Sequence, residues 1–248
     1  PFPFFGRRVE VAEGGRRHAS SLRECHTMSE LPASGAQAPG FTLTDRDGTS
    51  LTFGEGEPSA PTTLLFFFKH DCATCDLTAP LVERLHGALA GEGLRVVGVS
   101  QDSPTDTTGF VNRHALSFRV ALDTELEVSA DYGFDAVPAL VLVAPTHHVG
   151  YSFEGFVKQD LLELTRLAAA ACGAATPAVV RDEDGLPDHR PGCGSKAHDP
   201  DIARRLAVRR GSAILAARRV RVPADDDPFE FMASRGLGDG LPVVPPTE

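Results

Sequence analysis

The chain has 248 residues, room for one domain of about 140 residues with appendages, or for two small domains. Its 24 basic and 34 acidic residues give a formal net charge of -10, which argues against a general nucleic-acid binder. No stretch approaches the ~20 apolar residues of a membrane span, so no transmembrane segment is expected.

The chain opens Pro1-Phe2-Pro3-Phe4-Phe5, crosses an arginine-rich patch and meets its first methionine at Met28. Met28 is read as the natural start, and 1–27 as upstream sequence to be kept out of fold reasoning. Residues 1–32 are therefore treated as an N-terminal extension. Asp47-Gly48 is a hairpin signal leading into Leu51-Thr52-Phe53. The run 62–68 does not alternate and reads as a strand buried on both faces. A helix over 73–90 carries apolar residues at Leu77, Leu81, Leu85 and Leu89 and stops at Gly91 and Gly93. Residues 94–100 form a second buried strand, and Pro104 opens a helix to His114. A short strand over 118–122 and a helix over 124–132 come next. A strand follows Pro138 as far as Ala144, a turn occupies 145–148, a strand 149–153, and a last helix 157–171. Strands alternating with helices predict an α/β fold with a mixed sheet covered on both faces.

After Cys172 the composition shifts to Gly, Pro, Asp and Arg, and 173–248 is expected to be a partly irregular extension or the start of a second domain. Within it 173–199 reads as a loop or linker, 200–210 as a short basic helix and 212–222 as a strand. The arginines Arg204, Arg205, Arg209, Arg210, Arg218, Arg219 and Arg221 read as a solvated face or a pairing face for Asp225, Asp226 and Asp227. Cys193, with His189 and His198 nearby, raises a metal or second-thiol role. An exposed loop cysteine is the reading adopted, since no ordered ligand spacing is present.

Cys72 and Cys75 follow the buried strand and stand where the helix pattern begins. The unsatisfied N–H groups and positive dipole end of a helix N-terminus favour a thiolate at Cys72, with a second thiol in reach. Such a pair performs thiol-disulfide exchange. Half a zinc site is the competing reading, but Cys25, Cys172 and Cys193 stand alone, and His70 and His86 lack partners at finger spacing. No metal or cofactor is expected. A purely structural disulfide is disfavoured, because so short a loop constrains the unfolded chain little. Five cysteines with one close pair also do not form a secreted disulfide framework.

The stretch Cys72-Ala73-Thr74-Cys75-Asp76-Leu77-Thr78-Ala79-Pro80 resembles the active-site turn and first helix of thioredoxin-like proteins. Residues Asp131-Tyr132-Gly133-Phe134-Asp135-Ala136-Val137-Pro138 resemble that superfamily's segment ending in a cis proline that faces the CxxC. Gly35-Ala36-Gln37-Ala38-Pro39-Gly40-Phe41-Thr42-Leu43 is similar to the opening pattern of its redoxin branch, and the details favour TlpA/ResA proteins over small thioredoxins. The resemblance covers roughly 35–171 and sets a thioredoxin-like domain at 33–172. It implies a thiol-disulfide oxidoreductase acting on protein or small-molecule disulfides, with an unidentified reductase or thiol as electron donor. Cys72 would be the exposed nucleophile and Cys75, one turn in and more buried, the resolving thiol. Val137-Pro138 would supply the strip on which an extended substrate docks. TlpA/ResA relatives usually carry a signal peptide or membrane anchor; a start at Met28 gives none, so a cytoplasmic location is expected. The final twenty residues weakly resemble the opening of UGSC-motif proteins.

The site departs from the family at several positions. Asp71 stands where relatives commonly have tryptophan, Ala-Thr lies between the cysteines, Phe66 replaces the buried aspartate of thioredoxins, and Thr78 stands where some TlpA/ResA relatives have glutamate. Lys69 and His70 oppose Asp71 and Asp76 in their effect on Cys72, so the sign of the sum stays open. Two other functions remain. A peroxiredoxin-type thiol peroxidase shares the fold, but Lys69 holds the position where that chemistry needs Thr or Ser. A non-enzymatic redox sensor or adaptor would use the CxxC to gate the C-terminal extension.

Overall fold

The computed structural model describes residues 31–54 and 61–210, together with 227, 230 and 231. The strand expected over 212–222, nearly all of the UGSC-like end and the chain before Leu31 lie outside the described residues. Contacts divide the chain into one unit through Ser195 and another from Lys196.

The first unit is a seven-stranded mixed sheet flanked by helices. Its strands are β1 (Phe41–Asp45), β2 (Ser50–Phe53), β3 (Thr62–Phe68), β4 (Leu94–Ser100), β5 (Arg119–Leu122), β7 (Ala139–Val143) and β8 (Val149–Glu154), in the spatial order β2-β1-β5-β4-β3-β7-β8. Strands β3, β4 and β5 run parallel, joined by α1 (Ala73–Leu89) and α2 (Pro104–Arg113). Strand β7 returns antiparallel to β3, with Phe66 opposite Leu140. Every residue of β3 is buried, as its unbroken apolar run requires.

Alternation along β3 sends its aromatic rings to opposite faces. Phe66 and Phe68 stack at 5.2 Å, and Phe68 meets Phe110 of α2 at 4.6 Å. Phe67 packs on Tyr132 and Phe134, each at 4.8 Å, so α3 (Glu127–Tyr132) covers the other face. Helix α4 (Lys158–Ala171) buries Leu161, Leu164, Ala168 and Ala169. No helix among the described residues is long and apolar enough to cross a membrane.

Differences from the sequence expectation lie at element ends and after α4. Helix α3 starts at Glu127 rather than 124, because Leu126 takes a left-handed conformation and the Asp123 carboxylate caps Val128 and Ser129. Residues 173–195 are irregular, as expected of a linker, yet they pack on the sheet domain, whose compact unit reaches Ser195 rather than 172. Val179 is buried, and Arg84 of α1 donates to the Val179 carbonyl at 2.5 Å and to Asp184 at 2.7 Å. Two-residue strands continue this wrapping. Strand β10 (His189–Arg190) pairs with β9 (Phe156–Val157), and β11 (Cys193–Gly194) pairs with β6 (Ala136–Val137), both antiparallel.

In the second unit the expected basic helix is α5 (Pro200–Arg209). Asp199 caps it by accepting from the N–H groups of Asp201 and Ile202, and Pro200 fills the first turn.

Candidate active site

Strand β3 ends at Phe68, and the chain turns directly into α1 with Cys72 as its N-cap. The Cys72 sulfur accepts from the backbone N–H of Cys75 at 3.3 Å, in the place where a Ser or Asp oxygen normally sits. Cys75 lies on the first turn and is fully buried. The Val137-Pro138 bond is cis, and the Val137 carbonyl lies 3.4 Å from Cys72 Sγ. All three residues singled out in the sequence, Cys72, Cys75 and Pro138, are thus brought to one place.

The pair is electrostatically split. The Cys72 thiol is pulled down to about 5, first by the Cys75 thiol that bonds it, then by Cys193 and by the N–H groups of Cys75 and Thr74, all against the penalty of burial. Burial pushes the Cys75 thiol well up, and the adjacent Cys72 sulfur adds to the rise. Cys193 is raised too, by burial and by the bond to Cys72. One ionised sulfur therefore sits among donors that hold their protons. The flanking charges, whose balance the sequence left open, pair with other groups. Lys69 lies 3.7 Å from Asp71, while Asp76 meets His114 at 2.7 Å and Arg113 at 3.3 Å.

Residues 34–152 match the AhpC/TSA family. The thiol-disulfide oxidoreductase ResA of Halalkalibacterium halodurans is 32% identical over 134 residues, covering 54% of this chain and 75% of that protein. The chain belongs to the redoxin branch of the thioredoxin-like superfamily. It is a thiol-disulfide oxidoreductase of the ResA kind. Peroxiredoxin Q of Populus jackii is 26% identical over 102 residues, covering 41% of this chain and 47% of that protein. A structure from Chlorobium tepidum, named as a thiol:disulfide interchange protein DsbE, shares the fold. Its TM-score is 0.52 at 24% identity, over 57% of this chain and 99% of that one.

Two expectations for this oxidoreductase need correction. Cys72 is not exposed: its relative accessibility is 0%, the same as that of Cys75. The second correction is that Cys193 is not an exposed loop residue but a half-buried one in β11. Strand β11 sets Cys193 opposite Val137, the residue whose carbonyl lies against Cys72 Sγ, and the Cys193 thiol helps to pull the Cys72 value down. Thr74 Oγ1 donates to the Pro191 carbonyl at 2.7 Å, the Ser195 N–H to the Asp135 carbonyl at 2.8 Å, and Gln101 Nε2 to Ser195 Oγ at 2.9 Å. Gly192 permits this approach, since a Cβ there would lie 2.7 Å from the Val137 carbonyl oxygen. On the other side of β6, the Glu154 carboxylate accepts from the N–H groups of Asp135 and Ala136 at 3.0 and 3.2 Å.

Asp102, at 2% accessibility, also escaped the sequence reading. Its carboxylate accepts from the His70 backbone at 2.6 Å and meets His70 Nδ1 at 3.0 Å, fixing the turn that delivers Cys72. Phe66 and Thr78, where relatives place acids, are buried without one. Phe66 stacks on Phe68, and the Thr78 hydroxyl donates to the Thr74 carbonyl at 2.8 Å. Among the described residues, no group of three or more His, Cys, Asp or Glu side chains is placed to hold a metal ion.

Proposed function

We propose that Cys72 is the nucleophile of this oxidoreductase and Cys75 its resolving thiol, acting on disulfides of proteins or small molecules. The observation that carries the assignment is the opposite displacement of the two thiols at the α1 N-terminus, with Cys72 down to about 5 and Cys75 well above its ordinary value. At neutral pH Cys72 is the thiolate, so it attacks one sulfur of the substrate disulfide and expels the other as a thiol. Cys75 then attacks Cys72, closing the protein disulfide and releasing the second substrate thiol. Pro138 and Val137 act in positioning the Cys72 sulfur, and an extended substrate segment would lie on β6 only in place of β11, which pairs with it in the structure.

The functional unit is read as 33–195, with the segment after α4 included, because that segment lies against the nucleophile. The electron donor that returns the pair to the dithiol is a reductase or a small thiol. In a reducing compartment the pair rests mostly as a dithiol. An insulin-disulfide reduction assay run beside a peroxide-consumption assay tests the reading. Insulin reduction that disappears in Cys72→Ser is expected. The family match and the likeness to peroxiredoxin Q favour a thiol peroxidase as the second reading. Efficient peroxide consumption without insulin reduction would select it.

A further inference from the structure

The place that the family fold offers to a substrate strand, the free edge of β6 beside Pro138, is already filled by the chain itself. Cys193 and Gly194 pair antiparallel with Val137 and Ala136, and hydrogen bonds donated by Thr74 and Gln101 and accepted by the Asp135 carbonyl fasten residues 191–195 at both ends. The residue set opposite Val137 is a cysteine, and Val137 is the residue whose carbonyl touches the Cys72 sulfur. A glycine stands on either side of that cysteine, and Gly192 sits where no side chain fits. A strand on the docking strip, a thiol at its centre and a nucleophile with no exposure beneath it are three separate observations with one explanation.

We propose that Cys193 is a third redox cysteine, a tethered partner thiol that exchanges disulfide bonds with Cys72 from the substrate strip. The inference rests on the nucleophile role proposed for Cys72. When Cys72 has taken an external disulfide R-S-S-R′, it carries S-R, and R′-S⁻ has left with a proton from solvent. The Cys193 thiolate then attacks Cys72 Sγ, forming the Cys72-to-Cys193 bond and expelling R-S⁻, which takes up the proton that Cys193 gave up. Two protein thiols are oxidised and one external disulfide is reduced to two thiols. Cys75 next attacks Cys72 in the same manner, forms the Cys72-to-Cys75 disulfide and returns Cys193 to the thiol. Every step is an exchange of one sulfur for another, and the substrate is the only oxidant.

Tethering sets the competition. A linked group acts at an effective concentration on the order of 1 mM, so against about 10 μM external thiol Cys193 reaches Cys72 about 100-fold more often. In a Cys75→Ser chain, Cys193 should therefore do the resolving.

The test treats the full chain carrying Cys75→Ser with oxidised glutathione, then digests it without reduction and maps the disulfides by mass spectrometry. The expected product is the internal Cys72-to-Cys193 disulfide, with two glutathione thiols released per chain. Adding Cys193→Ser should instead leave a lasting Cys72-glutathione adduct. Adding Gly192→Ala, which keeps the thiol but pushes a methyl into the Val137 carbonyl, should cut the internal disulfide several-fold and raise the adduct. A lasting Cys72-glutathione adduct in Cys75→Ser itself overturns the proposal while leaving Cys72 as nucleophile. An internal yield untouched by Gly192→Ala overturns the role of the strip. Absence of any Cys72 product in both the single variant and the Cys193→Ser double variant overturns the nucleophile reading, and the tethered exchange with it.

Discussion

The turn that carries Cys72 and the segment that carries Cys193 meet at one sulfur but are specified in different ways. The first hangs on β3 and α1, seven consecutive buried residues followed by a helix with buried Leu81, Leu85 and Leu89. Its position follows from packing, and packing leaves a periodic trace in sequence. The second consists of two-residue strands, side-chain bonds to backbone and one close glycine contact. None of these recurs at an interval, so the sequence marks the segment only as rich in glycine and proline. Active-site chemistry here depends on both kinds of specification, a regular frame that fixes the nucleophile and an irregular strap that fixes what lies over it.

The largest expected effect would break the frame's share of the chemistry. Cys72→Ser should take insulin-disulfide reduction to background, because the oxygen nucleophile stays protonated at neutral pH and the exchange has no alternative attacking sulfur at the N-cap. Retained activity would move the nucleophile elsewhere in the thiol cluster. Next comes Phe67→Ala, which removes a fully buried ring held between Tyr132 and Phe134. It should cost about 3–5 kcal/mol in denaturant unfolding. A loss under about 1 kcal/mol would show that β3 is not the packed centre of the frame.

Much of the frame was legible because its signals are physical requirements acting over many residues. Strand β3 could be read from Thr62-Thr63-Leu64-Leu65-Phe66-Phe67-Phe68 alone, and Cys72, Cys75 and Pro138 from their places at a strand-to-helix turn and a superfamily segment. In sequence Cys193 reads as an exposed loop thiol, since a cysteine between two glycines looks like a loop unless its partner strand is known. The burial of Cys72 is illegible for the same reason: the segment that β11 brings to Val137 lies more than a hundred positions away in the chain. Asp102 left no trace either, because an aspartate after a strand is commonplace and only the turn geometry aims it at His70.

Cutting the chain sharpens the comparison. Ending it after Cys172 instead of after Ser195 removes Val179, Asp184 and the strands β10 and β11 while leaving the seven-stranded sheet. The shorter chain should still fold. Losing Val179 alone should lower stability by about 1.5–3 kcal/mol. The Cys72 thiol should become open to alkylation, and exchange with external disulfides should quicken. Equal alkylation rates in the two chains would mean that the strap does not cover the nucleophile.

The smallest effect isolates a single bond across the two regions. Titrated by ultraviolet thiolate absorbance, the reduced chain should show a Cys72 step with a midpoint of about 5, absent from Cys72→Ser. Cys193→Ala deletes one donor to the thiolate, so the midpoint should rise. A hydrogen bond to a charged group contributes about 1.5–3 kcal/mol and a thiol is a weak donor, which places the rise near one pH unit. The sign carries over to stability. The folded value of Cys72 lies below the unfolded one, so its contribution is complete above the ordinary thiol value and is lost as pH falls through about 5. Cys75 and Cys193 are displaced upward, so theirs is complete at lower pH and declines once unfolded thiols begin to ionise. Reduced protein should therefore gain stability from about pH 5 upward, with a gain smaller in Cys193→Ala than in the parent chain. A midpoint unmoved by Cys193→Ala would show that the N-cap and Cys75 hold the thiolate by themselves, and that the strap touches the site without tuning it.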